Sequence, residues 1–319
     1  MNNLEGISFK EAINSKGLSY EEFRRILIPE FAKTWYAIFI RIFILLLILF
    51  LFLQIEIIYP NWYLISIPLF SILTGFMIAS LNLFVHEAGH YYLYPDKKIN
   101  DLLANIFLCS WTGIHISVYR KIHWKHHQLL STPDDTENTY FNPLTPGFIF
   151  EGLSGIHLLR IILNKNNRLF LGKDLRKKSI MMLITGIIIN STILFLAFWF
   201  SYIQLAIVWF LAMLVFFPFF ASIRQLIEHR DELAGADKNF YQVPQRKISR
   251  LFTNSLFSRY FGSAGFNKHM IHHWDPQLPF TSLNKAELFL ADCERTGNII
   301  VSSKTNYFTA FKNLWHISK

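Results

Sequence analysis

Twelve histidines stand among 319 residues, and eight of them fall into three groups. These are His86 and His90 in H-E-x-x-H, then His123, His126 and His127 in H-x-x-H-H, then His269, His272 and His273 in a second H-x-x-H-H. Neutral imidazole is a common ligand for transition metals. On a helix, residues three and four apart share a face, so each group can turn two or three rings to one side. Eight imidazoles exceed the three or four protein ligands of a zinc site, and the economical reading is two metal ions. Histidine suits zinc, iron, copper or nickel alike, so ligand type does not select the metal. H-E-x-x-H is also the zinc-protease pattern, with Glu87 as general base. That reading leaves six clustered histidines unexplained and stays a remote alternative.

Other residues near the groups suit supporting roles. His229, in I-R-Q-L-I-E-H-R, is a ninth candidate ligand. Glu87, Glu228, Asp134 and Asp135 are placed to accept a free imidazole N–H and fix its tautomer. Gln225 and Asn267 are candidates to hydrogen-bond a ligand or a metal-bound water. His115, His157 and His316 are isolated and read as structural. Cys109 and Cys293 are too few for a disulfide framework or a thiolate metal site, and no role is assigned to them.

The elements that carry these residues are apolar. Hydrophobic residues make up 52% of the chain and charged ones 17%, beyond what a soluble domain of this length carries. Four runs, at about 36–59, 63–85, 179–200 and 203–223, are long enough to cross a bilayer. The first holds one Arg and one Glu, and the other three hold no charge. They form two tight hairpins, so the chain is expected to be an integral membrane protein. The first run follows about 35 residues of charged sequence and reads as an uncleaved anchor. Within residues 1–35, Ser8-x-x-Glu11 and Ser19-x-x-Glu22 are capping-box patterns that predict one or two short helices at the membrane surface.

Positive charge orients the chain. Of 31 Lys and Arg, five lie in residues 1–35, twelve in 92–178 and thirteen from 224 onward. The loops near 60–62 and 201–202 have none. Both termini and the segments 86–178 and 224–319 are therefore expected in the cytoplasm. All three histidine groups then emerge on one side, and orientation accounts for the basic balance without nucleic acid. The apolar stretch 99–118 cannot cross without separating the first two groups, so a helix packed in the cap or lying in the interface is expected. The stretch 147–163 reads as membrane-hugging too, and Trp111, Trp124, Trp274 and Tyr119 read as interface anchors first and as lining of a substrate path second.

With these residues in view, the chain resembles the membrane fatty acid desaturase and hydroxylase superfamily. The resemblance rests on His86-Glu-Ala-Gly-His90, I-N-D-L-L-A-N-I-F at 99–107 and His123-Trp-Lys-His126-His127. S-T-P-D-D-T-E at 131–137, E-H-R at 228–230 and Asn267-x-His269-x-x-His272-His273 complete it. It implies an all-α membrane protein, four transmembrane helices with a cytosolic helical cap holding a histidine-rich dimetal site. It further implies a non-haem di-iron centre held by the eight grouped histidines, with His229 matching an additional ligand, and O2 as co-substrate. Two domains follow: an N-terminal segment, 1–35, and a desaturase-like domain, 36–319.

The sequence holds no haem-binding segment, cysteine cluster or glycine-rich dinucleotide fingerprint, so a separate ferredoxin or cytochrome b-type donor is expected. An acyl-lipid desaturase is the first expectation, and a lipid hydroxylase or oxygenase acting on fatty acids, carotenoids or alkanes is the second. The richness in Ile, Lys and Asn hints at a bacterial, inner-membrane setting.

Overall fold

The computed structural model describes residues 6–137, 139–156, 171–231 and 248–317. Helices dominate. In chain order they are α1 (Tyr20–Arg25), α2 (Phe31–Ile58), α3 (Tyr63–Asn82), α4 (Phe84–Gly89), α5 (Lys97–Ala104), α6 (Ile116–Leu129) and α7 (Pro146–Leu153). Then come α8 (Lys173–Trp199), α9 (Ile203–Leu211), α10 (Phe217–His229), α11 (Leu256–Phe261), α12 (His269–Trp274), α13 (Phe280–Ala291), α14 (Glu294–Ser302) and α15 (Tyr307–Ile317). Two-residue strands β1 (Leu251–Phe252) and β2 (Lys304–Thr305) pair in parallel. The stretch expected to hug the membrane, 147–163, is helical to Leu153, and its residues from 157, His157 included, lie outside the described residues.

Among the described residues, four helical stretches are long and apolar enough to cross a membrane: Phe31–Ile58, Pro60–Gly89, Lys173–Trp199 and Ile203–His229. They run 27 to 30 residues. At about 1.5 Å per residue each reaches about 40 Å, past the roughly 30 Å hydrocarbon layer. Phe43, Leu46, Ile187 and Phe195 are exposed along them, which an aqueous surface would penalise and lipid would not. The chain is a membrane protein. Stretch 99–118 forms no helix of spanning length: α5 passes into a π turn at Asn105–Cys109, and the chain breaks before α6 at Gly113, with φ +73°.

The chain divides into two compact units. One comprises residues 35–122 and 146–223, the other 1–34, 123–145 and 224–319. In the first unit the spans meet through small residues and a few polar bonds. A Cβ on Gly75 would stand 2.4 Å from Phe216 Cβ, so α3 and the π turn Ala212–Phe216 touch backbone to backbone. That π turn ends just before Pro218, whose missing N–H breaks the helical ladder there. Asn190 donates to Trp111 O (2.9 Å) and accepts from Trp209 Nε1 (3.0 Å), tying α8 to α9. The two charges of the first span are both partnered: Arg41 donates to Ser80 Oγ (3.1 Å), and Glu56 accepts from Ser66 Oγ (3.1 Å).

The second unit has its core between α12 and α13, around Trp274, Leu283 and Leu290, joined by Ala12 and Tyr20 of the N-terminal segment. Of the two capping-box patterns, Ser19 and Glu22 form a reciprocal box that starts α1. Ser8 and Glu11 close a turn instead (Ser8 N–H to Glu11 Oε2, 3.0 Å), and no helix follows. Trp274 is fully buried, not an interface anchor, because Phe9 and Tyr20 of the N-terminal segment pack together against it.

Candidate metal centre

The helix bearing the third histidine group, α12, has six residues, too few to be stable alone, and the chain around it supplies support. Before it, buried Lys268 donates to Phe252 O (3.1 Å) and pairs with Glu287 on α13 (2.5 Å). The Met270 N–H bonds Arg250 O (3.0 Å). The Arg250 guanidinium donates to Ile227 O and Arg230 O, filling carbonyls left open at the end of α10 beside His229. Arg230 in turn donates to Phe141 O (2.8 Å), behind the loop that follows α6. Arg250 thus joins the strand before α12 to the end of α10.

Each H-x-x-H-H motif divides its rings between two sets. His123 and His127, four apart on α6, join His272 of α12. His126, between them in sequence, joins His229, His269 and His273. Helical geometry explains the split, since i and i+4 lie about 40° apart around the axis and i+3 falls about 60° to the other side. In the first set His127 Nε2 stands 2.9 Å from His123 Nε2 and 3.1 Å from His272 Nε2. In the second, His269 Nε2 stands 2.7 Å from His229 Nε2 and 3.1 Å from His273 Nε2. The sets adjoin: the rings of His127 and His273 are 4.6 Å apart.

Partners at Nδ1 show what these Nε2 atoms present. His126 Nδ1 faces Asp135 Oδ1 (2.8 Å), and His123 Nδ1 faces Glu137 Oε1 (2.9 Å). His229 Nδ1 faces the Ile248 carbonyl (2.8 Å). Such acceptors place the ring proton at Nδ1 and leave a lone pair at Nε2. His123 and His229 thereby turn a lone pair toward His127 and His269, where a cation standing between the rings would be bound by both. Two nitrogens bound at about 2.1 Å at a right angle lie about 3.0 Å apart, matching the spacings seen. His126 Nε2 is buried and, among the described residues, without a hydrogen-bond partner. The residues fit two metal ions.

Electrostatics keep most rings neutral. Burial pushes the His269, His272 and His273 pKa values well below the ordinary imidazole range. Burial also lowers His123, with Glu137 opposing it. For His126 burial acts downward, yet Glu137 and Asp135 outweigh it and raise the value. Burial alone would raise Glu137, and the His126 and His123 charges hold it below the carboxylate range instead.

The remaining candidates distribute as follows. Gln225 reaches no histidine in its hydrogen bond: it donates to Glu137 Oε2 (3.1 Å), steadying that carboxylate. Glu228 accepts from Arg224 and from Tyr307 Oη (3.1 Å) and braces α10. Asn267 donates to Asn254 Oδ1 (3.0 Å). Asp134 is exposed, whereas Asp135 is buried and also accepts from Tyr140 Oη (2.6 Å). His115 accepts from the Ser117 N–H (3.2 Å) at the start of α6, and His316 is exposed. Glu137, Tyr140 and Arg250 went unassigned in the sequence. Glu137 lies in S-T-P-D-D-T-E, so its signal was present; Tyr140 and Arg250 had none.

The first histidine group belongs to the unit of the spans. α3 turns at Leu83 into α4, which carries His86 and is closed by His90. The two rings lie 4.6 Å apart, and Glu87 Oε1 stands 3.3 Å from His86 Nδ1. The open carbonyls of this helix are filled. Arg120 Nε donates to Gly89 O (2.8 Å), and Arg120 and Asn100 both donate to Ala88 O (3.2 and 3.0 Å). Arg120 stands three residues before His123 on α6.

The family model described as fatty acid desaturase matches residues 60–302, three quarters of the chain and all nine histidines read as candidate ligands. Among curated proteins, none matches the chain significantly.

Proposed function

Because the chain belongs to the fatty acid desaturase family, we propose that it is an O2-dependent, di-iron acyl-lipid desaturase of the membrane. Membership alone implies an oxidoreductase with an acyl lipid as substrate. The observation that carries the finer reading is the pair of adjoining imidazole sets with facing Nε2 atoms. His123, His127 and His272 would hold one ion, with His86 and His90 joining them as the family motif implies. His126, His229, His269 and His273 would hold the other. Iron bound there would supply O2 activation and removal of hydrogen from an unactivated C–H bond, chemistry that redox-inert zinc lacks.

The protein's own part is to hold and shield. Asp135, Glu137 and the Ile248 carbonyl keep protons at Nδ1, so that lone pairs converge. Burial of His126, His229, His269 and His273 excludes water from a centre that must oxidise carbon and not solvent. Electrons come from a separate ferredoxin or cytochrome b-type protein, steered by the basic cytoplasmic side. The termini and the centre face the cytoplasm, in a bacterial inner membrane.

The test is the lipid profile of a host expressing the chain, by gas chromatography–mass spectrometry, beside a His126→Ala control. New unsaturated acyl chains absent from the control are the expected result. Hydroxylated lipids would make the protein a hydroxylase. An unchanged profile with zinc bound would overturn the oxygenase reading and restore the protease.

A further inference from the structure

We propose that residues 6–30 form a strap that positions the third histidine group, with Arg24 and Tyr20 as positioning residues acting through Asp275. The inference rests on reading His269, His272 and His273 as metal ligands. The strap lies outside residues 60–302, so nothing in the family match assigns it a role.

Its fold is local. Tyr20 N–H bonds Ala12 O (2.8 Å) and Asn14 N–H bonds Leu18 O (2.9 Å), closing a hairpin that the Ser19 and Glu22 box leads into α1. Ser15 Oγ donates to Asp292 Oδ2 (2.8 Å) and fastens the hairpin to the end of α13. Phe23 stacks on Phe289 of the same helix (ring centroids 4.3 Å), and a further set of contacts falls on the two residues directly after His273. Trp274 packs against Phe9 (ring centroids 4.7 Å, edge-on) and Tyr20 (4.6 Å), which touch each other at 5.2 Å. Asp275 is 1% exposed, and its Oδ2 receives Arg24 Nε (2.6 Å) and Tyr20 Oη (3.2 Å). Its backbone N–H bonds Ile271 O (2.8 Å) and its Oδ1 accepts from Gln277 N–H (3.2 Å), so the residue ends α12 and its carboxylate holds the turn beyond it.

A buried carboxylate needs such partners, and without them it would turn toward water. Moving Asp275 would unwind the last turn of α12, where His272 and His273 stand, one in each metal set. Lys268 holds the start of the same helix through Glu287. The six-residue helix is thus fixed at both ends, and the strap supplies the second anchor.

The test uses the full chain purified in detergent and loaded with iron, comparing wild type with Tyr20→Phe, Arg24→Gln, Arg24→Lys and Ser15→Ala. Iron per chain and the rate of iron loss to a chelator are read beside melting temperature. Arg24→Gln and Tyr20→Phe are expected to release iron about 10-fold faster, the low end of effects from groups behind a ligand. Arg24→Lys is expected to recover most of the loss. Ser15→Ala, which loosens the strap away from α12, is expected to release iron at the wild-type rate. Should Arg24→Gln fail to fold, Tyr20→Phe decides, because its ring keeps the core packed. Release that matches wild type, or that tracks melting temperature equally across all variants, overturns the inference. Failure of the wild type itself to bind iron overturns the metal-centre reading, and the inference with it.

Discussion

Asp135 and Ile248 O do the same geometric work on His126 and His229, but only the first carries charge. A carboxylate behind an imidazole raises its basicity toward a metal as well as fixing its tautomer. Asp135→Asn keeps an acceptor and removes the charge, so metal affinity is expected to fall about 10-fold or more, measured by equilibrium dialysis with metal analysis. Unchanged affinity would reduce Asp135 to packing. The depressed imidazoles also set a pH dependence. His123, His269, His272 and His273 have folded pKa values below 6.5, so between that value and their folded values the unfolded chain binds more protons. Stability of the metal-free protein then falls as pH falls below 6.5, and depressed Glu137 adds loss below about its ordinary 4.5. His126, raised, acts the opposite way but is one group against four. A lower melting temperature at pH 5.5 than at 7.5 in chelator-treated protein is expected, and a higher one would contradict the assignment.

At the scale of elements, short helices are held by side chains reaching their ends. Arg120 fills carbonyls of α4 and carries a half-buried link to Asp101, so Arg120→Ala would remove the side-chain donor of Gly89 O and one of the donors of Ala88 O beside His86 and His90. The loss of charge-assisted bonds is worth roughly 1.5–3 kcal/mol each. Metal content of the purified variant is expected to drop while the spans stay folded by circular dichroism. Gly75 marks a different constraint. A Cβ there meets Phe216 Cβ at 2.4 Å and Phe217 N at 3.0 Å, so Gly75→Ala forces α3 from the π turn. Overpacking of that kind costs about 1–3 kcal/mol, read as faster thermal inactivation in detergent. Inactivation at the wild-type rate would show that the two helices part easily.

On the scale of the whole molecule, the two units interleave along the chain, and each metal set of the second unit draws on segments more than a hundred residues apart. Closing such long loops costs little more than closing short ones, so the spans can intervene between histidine groups. The excess of Lys and Arg in 1–35, 92–178 and from 224 onward predicts which side they occupy. A fluorescent protein fused at the C-terminus should therefore fluoresce, and alkaline phosphatase fused there should stay inactive; the reverse pattern would invert the topology.

What could be read from residues alone was whatever depends on composition and local period. The four spans follow from apolar length, the three histidine groups from spacing, and the Ser19 box from a four-residue pattern. Tertiary structure decided the partners. That His126 parts from His123 and His127 follows from helix geometry, but which rings each then meets depends on where α10 and α12 lie. Gln225 bonds Glu137 and not a histidine because the loop after α6 brings that carboxylate under α10. Trp274 turned from an expected interface anchor into core because the hairpin at residues 12–20 folds over it. Arg250, Tyr140 and Arg24 gave no signal, since an arginine or tyrosine in an irregular stretch acquires meaning only from the carbonyl or carboxylate that distant chain presents to it.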